Sequence, residues 1–340
     1  VTEPYGSGFI RVNKHGEVDR IFQSDTFSSG WLLDDMAVDS VGNVYLAANS
    51  LCRIYRIKPD NVMTVFAGNG TCGDSGDNGP ATEASLNIVE TITIDGEDNI
   101  YAGTRHSIRK IGRSNGVITT LYDDATETEN IDALFADKYG NLYFYNNNYR
   151  IKKISPSGVV SDFAGNGTRG HSGDGGPATS AQIDGVHGIV GDIWGNIYFD
   201  DAEQYIRKVD ASGSISTIYN LPGFPDPSKS SRVSTDNDGM VYISQYNTFD
   251  TQIFKLRLSP NLAATSPTTG SVGAKVVLTG KYFGSNSQNG QVTFNGVSAP
   301  ILFWSNETIV CTVPQGATNG NVVVTSPENQ QSNGITFRPK

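Results

Sequence analysis

Basic residues are scarce in this 340-residue chain. Lys and Arg total 25 against 35 Asp and Glu, which gives a net charge of −10 and a pI of about 4.9. Nucleic-acid binding needs a basic footprint, and none exists. An anionic membrane surface repels such a chain for the same reason. Long apolar runs are also missing. None approaches the ~18 residues needed to cross a bilayer, so a hydrophobic transmembrane span is excluded. No basic segment leads into an apolar stretch, and the expectation is that any signal peptide has been removed or left out. Methionine is rare at three residues and charged residues reach only 18%, whereas Gly (38), Tyr (15) and Phe (15) are plentiful. That profile favours many short strands joined by turns over helices.

The charge is uneven. Residues 259–340 carry four basic residues (Lys275, Lys281, Arg338, Lys340) and two acidic ones (Glu307, Glu328), so this part is +2 and the first 258 residues are −12. Two domains of different character are expected, 1–258 and 259–340.

A short pattern recurs through the first of them. It reads Asp39-Ser-Val-Gly42-Asn43-Val-Tyr45, Asp95-Gly-Glu-Asp98-Asn99-Ile-Tyr101, Asp137-Lys-Tyr-Gly140-Asn141-Leu-Tyr143, Asp192-Ile-Trp-Gly195-Asn196-Ile-Tyr198 and Asp236-Asn-Asp-Gly239-Met-Val-Tyr242. Asp and Gly-Asn suit a tight hairpin turn, because they tolerate positive φ and bond nearby backbone groups. The flanking residues alternate apolar and polar, which is strand periodicity. A second pattern follows each turn: Ile54-Tyr-Arg-Ile57, Ile108-Arg-Lys-Ile111, Ile151-Lys-Lys-Ile154, Ile206-Arg-Lys-Val209 and Ile253-Phe-Lys-Leu256, with an extra copy at Ile10-Arg-Val12. Each unit reads as four short antiparallel strands, A to D. The units recur at intervals of 56, 42, 55 and 44 residues. Four-stranded units of about 40–50 residues point to propeller blades. The two long intervals share an insertion between strand D and the next strand A. Residues 69–82 and 166–179 are identical at 11 of 14 positions (Asn-Gly-Thr…Ser-Gly-Asp-x-Gly-Pro-Ala-Thr).

On these turns, strands and loops, residues 1–258 resemble the NHL-repeat β-propeller family. Six C-type strands imply six blades. The first is odd, since Val1-Thr2-Glu3 looks like the end of a B strand, and the last lacks a D strand. Ring closure by strands from both termini, or a chain cut from a longer parent, accounts for this.

Beyond residue 259 strand signals continue while the repeat stops. The markers are Ser266-Pro-Thr-Thr-Gly270, Lys275-Val-Val-Leu-Thr-Gly280-Lys-Tyr-Phe283-Gly284, Val292-Thr-Phe294-Asn295-Gly296, Ile309-Val-Cys-Thr-Val313-Pro314 and Gly320-Asn-Val-Val-Val-Thr325. About 80 residues with seven short strands suit an immunoglobulin-like sandwich. The segment resembles an IPT/TIG domain and lacks the Cys…Trp…Cys spacing of antibody domains. The fold class expected is all-β, a six-bladed NHL-like β-propeller plus a C-terminal immunoglobulin-like β-sandwich.

Several residues are candidates for chemistry. Cys52 falls in a B–C loop and Cys72 in a D–A loop, two loop types that open on the same face of a propeller. Their equivalents in the other long repeat are Tyr149 and Arg169, so the cysteines come and go together, and we read a Cys52–Cys72 disulfide. Such a bond implies an oxidising compartment. Cys311 reads as a buried free thiol. Asn69, Asn166 and Asn306 begin N-glycosylation sequons. Asp74, Asp77 and Asp174 lack the regular spacing of a calcium loop, and Asp side chains in such loops bond the loop's own backbone. Of His15, His106, His171 and His187, only His187 has a plausible axial address, and no pair stands at zinc-ligand spacing. The Arg and Lys of the Ile-Arg-Lys-Ile strands read as a solvated face, or as rungs paired with Asp on the next strand. No catalytic residue, metal site or cofactor is expected. The expected function is an extracellular or cell-surface, non-enzymatic binding, adhesion or scaffold protein. Its partners would be other proteins or glycans, with self-association into a surface or filamentous assembly. The alternative is an enzyme using the propeller channel, a metal-dependent lyase or hydrolase.

Overall fold

A computed structural model describes residues 2–3, 6–12, 18–23, 33–124, 130–202, 204–220, 230–235, 240–246, 251–256, 258–284, 288–327 and 329–340. Val1, His15, Glu328 and the turn at 236–239 lie outside the described residues. The chain is all-β, with two short 3-10 turns among the described residues, at Asn49–Leu51 and Ala178–Ser180. Six antiparallel sheets follow one another along the chain, then a two-sheet sandwich.

Four of the six sheets have four strands in simple sequence order. The second is Leu33–Val38, Val44–Ala48, Arg53–Ile57 and Met63–Ala67. The third is Thr91–Ile94, Ile100–Gly103, Ser107–Ile111 and Ile118–Asp123. The fourth is Ala133–Ala136, Leu142–Tyr145, Ile151–Ile154 and Val160–Ala164, and the fifth is Ile189–Gly191, Ile197–Asp201, Tyr205–Val209 and Ile215–Asn220. The first (Thr2–Glu3, Gly6–Val12, Val18–Gln23) and sixth (Ser230–Thr235, Val241–Tyr246, Thr251–Leu256) have three strands each. Among the described residues these two sheets share no strand.

The repeated turn explains why these segments fold as they do. The Asp39 carboxylate accepts the Val41 and Asn43 amides at 3.1 and 2.8 Å, the Asn43 side chain at 2.6 Å and the Tyr45 hydroxyl at 3.2 Å. Asp95 repeats this with Glu97, Asn99 and Tyr101 at 2.7–2.9 Å. Asp137 and Asp192 take the same backbone and Asn donors. The fourth turn position is left-handed, at φ +87° for Gly42 and +62° for Asp98. Asp98 tolerates it because its carboxylate is engaged by the Ser40 amide and hydroxyl and by Arg113. Burial pushes the Asp39 and Asp95 carboxyls up, but the Asn, Tyr and backbone donors outweigh it and hold both below the usual carboxylate range. The partner tyrosines respond in the other direction. Burial and then Asp39 push Tyr45 up to about 12, and burial and Asp137 do the same to Tyr143.

In the second to fifth sheets the second strand is buried along its length, as at Val44–Ala48 and Leu142–Tyr145. Ile54, Ala67, Leu86, Ile92, Ile100 and Ile118 fill the space between the second and third sheets. Ile108, Ile131, Leu134, Leu142 and Phe144 fill that between the third and fourth. In each of the first five sheets the C–D pairing slips by one residue, for example between Ile108 and Arg109 or Ile206 and Arg207. A repeated bulge of this kind increases strand twist.

The sandwich packs Asn261–Ser266, Lys275–Lys281, Thr308–Thr312 and Ile301–Trp304 in one sheet against Thr269–Gly270, Ile335–Pro339, Gly320–Thr325, Gln291–Phe294 and Val297–Ser298 in the other. Leu278, Phe283, Phe294, Trp304, Ile309 and Phe337 lie in its core. Cys311 is buried there as a free thiol, which burial pushes up to about 12.

The chain packs as two compact units. One unit is Val1–Val190 with Ile197–Pro227, and the other is Gly191–Asn196 with Ser228–Lys340. Two side-chain hydrogen bonds lie within the second unit. Thr235 Oγ1 donates to the Gly191 carbonyl at 3.0 Å, and Tyr282 Oη donates to Asp192 Oδ2 at 2.7 Å.

Asp95→Ala removes the acceptor for two amides and two side chains, and the expected loss is about 2–3 kcal/mol in urea denaturation. Because the folded pKa of Asp95 lies below the unfolded one, its contribution is complete above about pH 4 and fades as pH falls through the folded value. Acid denaturation followed by fluorescence therefore shows a shallower pH dependence in Asp95→Asn than in the parent.

Candidate functional site

The two Gly-rich insertions are built alike from the residue level up. Asn69 Oδ1 accepts the Thr71 amide at 2.7 Å while its Nδ2 donates to the Glu83 carbonyl at 3.0 Å. Asn166 makes the matching bonds with Thr168 and the Ser180 carbonyl, at 2.9 and 3.2 Å. Each Asn carbonyl also accepts an arginine, Arg53 or Arg150. Gly76 and Gly173 sit at φ +96° and +100°, and a Cβ on either would lie 2.7 Å from the Cα of Ala84 or Ala181. Glycine is required there both by backbone conformation and by space.

Under each loop lies a fully buried arginine. Arg109 donates to the carbonyls of Ser75 and Ser85 and to Asp77 Oδ1 at 2.8 Å. Arg207 donates to the carbonyls of Ser172 and Gln182 and to Asp174 Oδ1 at 2.9 Å. The second oxygens of Asp77 and Asp174 accept the amides of Thr120 and Thr217. Each carboxylate therefore ties its loop to strands C and D of the following sheet. Burial opposes ionisation, but the threonine donors and the arginines hold both aspartates below the usual range.

This corrects two expectations. Arg109 and Arg207 have no exposed side-chain surface, so they are not a solvated face, and only Arg207 pairs with an Asp of the adjacent strand, Asp201 at 3.1 Å. Asp77 and Asp174 bond these arginines and the next sheet instead of their own loop backbone. The signal was present in the sequence. The first cation position of strand C is Arg only in the two sheets that follow an insertion, and it is Ile10, Tyr55, Lys152 or Phe254 in the others. The second cation has a different task, with Lys110 and Lys153 each 5.4 Å above the rings of Tyr101 and Tyr143.

The two copies differ in their second carboxylate. Arg109 has Asp74 at 4.0 Å, whereas the equivalent of Asp74 in the other loop is His171. There the carboxylate comes from the strand end, where Asp201 lies 3.1 Å from Arg207 and 3.5 Å from His171 Nδ1. Burial outweighs these partners and raises Asp201 above the carboxylate range. Beside it, buried Asp200 accepts the amides of His187 and Gly188 and lies 3.3 Å from His187 Nδ1. His187 thus stands on a carboxylate clamp that the sequence did not reveal. His106 lies 3.6 Å from Asp123. Among the described residues no group of three or more His, Cys, Asp or Glu is placed to hold a metal ion.

Cys52 and Cys72 are bonded, with Cα atoms 5.2 Å apart. The bond joins the B–C turn of the second sheet to the first Gly-rich loop. At the equivalent place in the second loop, Arg169 pairs with Asp184 at 2.8 Å. Of the sequon asparagines, Asn69 is exposed, while Asn166 and Asn306 are half-buried. The Asn306 side chain accepts the Gly284 amide at 2.9 Å.

Comparison with known proteins fits this architecture. The family model described as IPT/TIG domain matches residues 260–339. Residues 260–339 are an IPT/TIG domain. The IPT domain follows a propeller of NHL-like blades. The chain is similar to Teneurin-3 of Danio rerio, 29% identical over 211 residues, covering 56% of this chain and 8% of that protein. It is also similar to Teneurin-1 of Gallus gallus, 30% identical over 186 residues, covering 48% of this chain and 7% of that protein. The chain therefore spans less than a tenth of the length of these relatives. Among solved structures, an auxiliary nutrient binding protein from Bacteroides ovatus aligns with a TM-score of 0.51 at 14% identity, over 69% of this chain and 61% of that one. A streptogramin B lyase aligns with a TM-score of 0.46 at 10% identity, over 91% and 83%.

Removing the buried guanidinium orphans the loop carbonyls and an aspartate. Arg109→Met is expected to cost about 2–4 kcal/mol, toward the lower end for a buried ion pair because Asp77 keeps access to solvent. Reducing the Cys52–Cys72 bond, which closes a loop of 20 residues, should cost about 3 kcal/mol by the chain-entropy estimate. Thermal melts with and without reductant read both.

Proposed function

We propose that this chain is an extracellular, non-enzymatic binding or scaffold protein, with the propeller as an interaction disc and the IPT domain as a spacer or docking module. The observation that carries this reading is the pair of Gly-rich loops. Each is held rigid from below by a buried arginine, and each leaves its outer residues in solvent. A surface ordered before it meets a partner loses little entropy on binding. Functional residues also concentrate on loops set by a rigid scaffold. The Cys52–Cys72 bond supports an oxidising compartment, since such bonds persist outside the cytosol. The similarity to two teneurins and the IPT domain support protein or glycan partners, and assembly into a larger surface structure belongs to the same proposal.

A second reading rests on His187. A half-exposed imidazole seated on buried Asp200 is arranged as a general base, which is what a channel lyase or hydrolase would use. The same carboxylate is already engaged by two backbone amides, so clamping the start of strand A explains it without chemistry.

The two readings separate in one experiment. Purified chain is tested for saturable capture on arrays of glycans and secreted proteins, alongside Arg207→Met and His187→Ala. The binding proposal expects capture that weakens at least several-fold in Arg207→Met and is unchanged in His187→Ala. Conversion of a captured ligand that disappears in His187→Ala would overturn it. If the chain is made through a eukaryotic secretory pathway, glycopeptide mass spectrometry should find Asn69 more fully occupied than half-buried Asn166 and Asn306.

A further inference from the structure

A cleft of about 430 Å³ opens between the third and fourth sheets. Leu121, Leu142 and Ile154 supply apolar lining, and Lys110, Lys138 and Tyr139 supply polar lining. Tyr139 is the apex of the Asp137–Asn141 turn and is 68% exposed. That is unusual surface for a large aromatic side chain, and the sequence pattern alone assigned it nothing.

The chain contains a precedent for what such a turn can hold. In the equivalent turn of the fifth sheet the apex is Trp194. Within the second unit, Tyr282 Oη donates to Asp192 Oδ2 at 2.7 Å and accepts from Asn196 Nδ2 at 2.8 Å. The two rings meet edge to face at 4.4 Å, and Lys281 Nζ lies 5.6 Å above the tryptophan ring. The turn carboxylate and amide thus read a phenol, while the apex aromatic packs on its ring. Asn196 is 5% exposed.

The fourth-sheet turn has the same parts. Asp137 accepts the Tyr139 and Asn141 amides and the Asn141 side chain in the same geometry, at 2.7–2.9 Å. Asn141 and Asp137 retain partial exposure. The cation is already supplied from within, since Lys138 Nζ lies 5.1 Å above the Tyr139 ring. The turns of the second and third sheets carry Val41 and Glu97 at the apex and offer no ring.

We propose that the Asp137–Asn141 turn and its cleft dock a tyrosine-bearing, acidic segment of a protein partner. The phenol would take the place that Tyr282 has at the other turn, against Tyr139. The Lys110 and Lys138 ammonium groups favour a carboxylate beside that tyrosine. Glu97 also lines the cleft, and Asp95 is engaged by the Tyr101 hydroxyl, so one flanking acid fits better than several. This inference rests on the reading of the chain as a binding module and names one class of partner for it.

The test is NMR titration of the isotope-labelled full chain with the blocked peptide acetyl-Gly-Tyr-Glu-Gly-amide and its Phe counterpart. The expected result is shifts centred on residues 137–141, with the dissociation constant about tenfold higher for the Phe peptide, since the site is built to bond a hydroxyl. Tyr139→Ala and Lys138→Glu, both at an exposed turn, should each weaken the Tyr peptide several-fold while leaving the melting temperature unchanged. Equal binding of the two peptides, or shifts confined to other regions, overturns the proposal. A concentration-dependent dimer lost in Tyr139→Ala, with the turn silent to peptide, overturns it in favour of a second copy as occupant. The array experiment perturbs Arg207 and the Gly-rich loop, so the broader binding proposal is read independently of this turn.

Discussion

The aspartate at the head of the A–B turn is the interaction on which the second to fifth sheets depend. Its carboxylate gathers two backbone amides, an asparagine side chain and, at Asp39 and Asp95, the hydroxyl of a tyrosine on the next strand. A single charged group thereby closes the turn, sets the register of strands A and B, and fixes the tyrosine that starts strand B. Hydrogen bonds to a charged acceptor are stronger than neutral ones, and those donors would otherwise be buried without partners. The tyrosine ring in turn supports a strand C lysine, so one turn orders three strands. The left-handed fourth position decides which residues can end the turn, and Asp98 shows that a non-glycine is tolerated when its own side chain is engaged.

Above this frame the Gly-rich insertions add a second layer. They could have been loose, since 23 residues separate Ala67 from Thr91. They are held instead by a guanidinium reaching up from strand C into carbonyls and a carboxylate. The two copies reach the same result by different means at two points. One uses a disulfide where the other uses Arg169 and Asp184, and one uses Asp74 where the other uses Asp201 with His171. That two solutions converge on one loop geometry argues that the geometry itself matters to what the chain does.

Much of the fold was legible because the repeat is strict. An Asp, a Gly or Asp, an Asn and a Tyr at fixed spacing can do little other than close a hairpin, and four strands per repeat imply a blade. The sandwich was legible from its turn spacing. Less visible was anything that depends on contacts distant in sequence. Asp77 and Arg109 are 32 residues apart, and alternation along Ile108–Ile111 gave the arginine to solvent because the loop that covers it comes from far along the chain. Asp200 and Asp201 looked like ordinary strand-end acids, and their burial depends on a loop from the preceding sheet. The exposed tyrosine at 139 was visible as a letter but gained meaning only beside the occupied turn at Trp194.

Native-state hydrogen exchange tests most directly whether the loops are rigid because of the buried arginines. The account predicts slow exchange for the Thr217, Gly165 and Asn166 amides in the parent. It predicts loss of that protection in Arg207→Met, while the Thr120, Gly68 and Asn69 amides of the other loop stay protected. Free exchange of all six amides in the parent protein, at rates typical of unstructured loops, would contradict it.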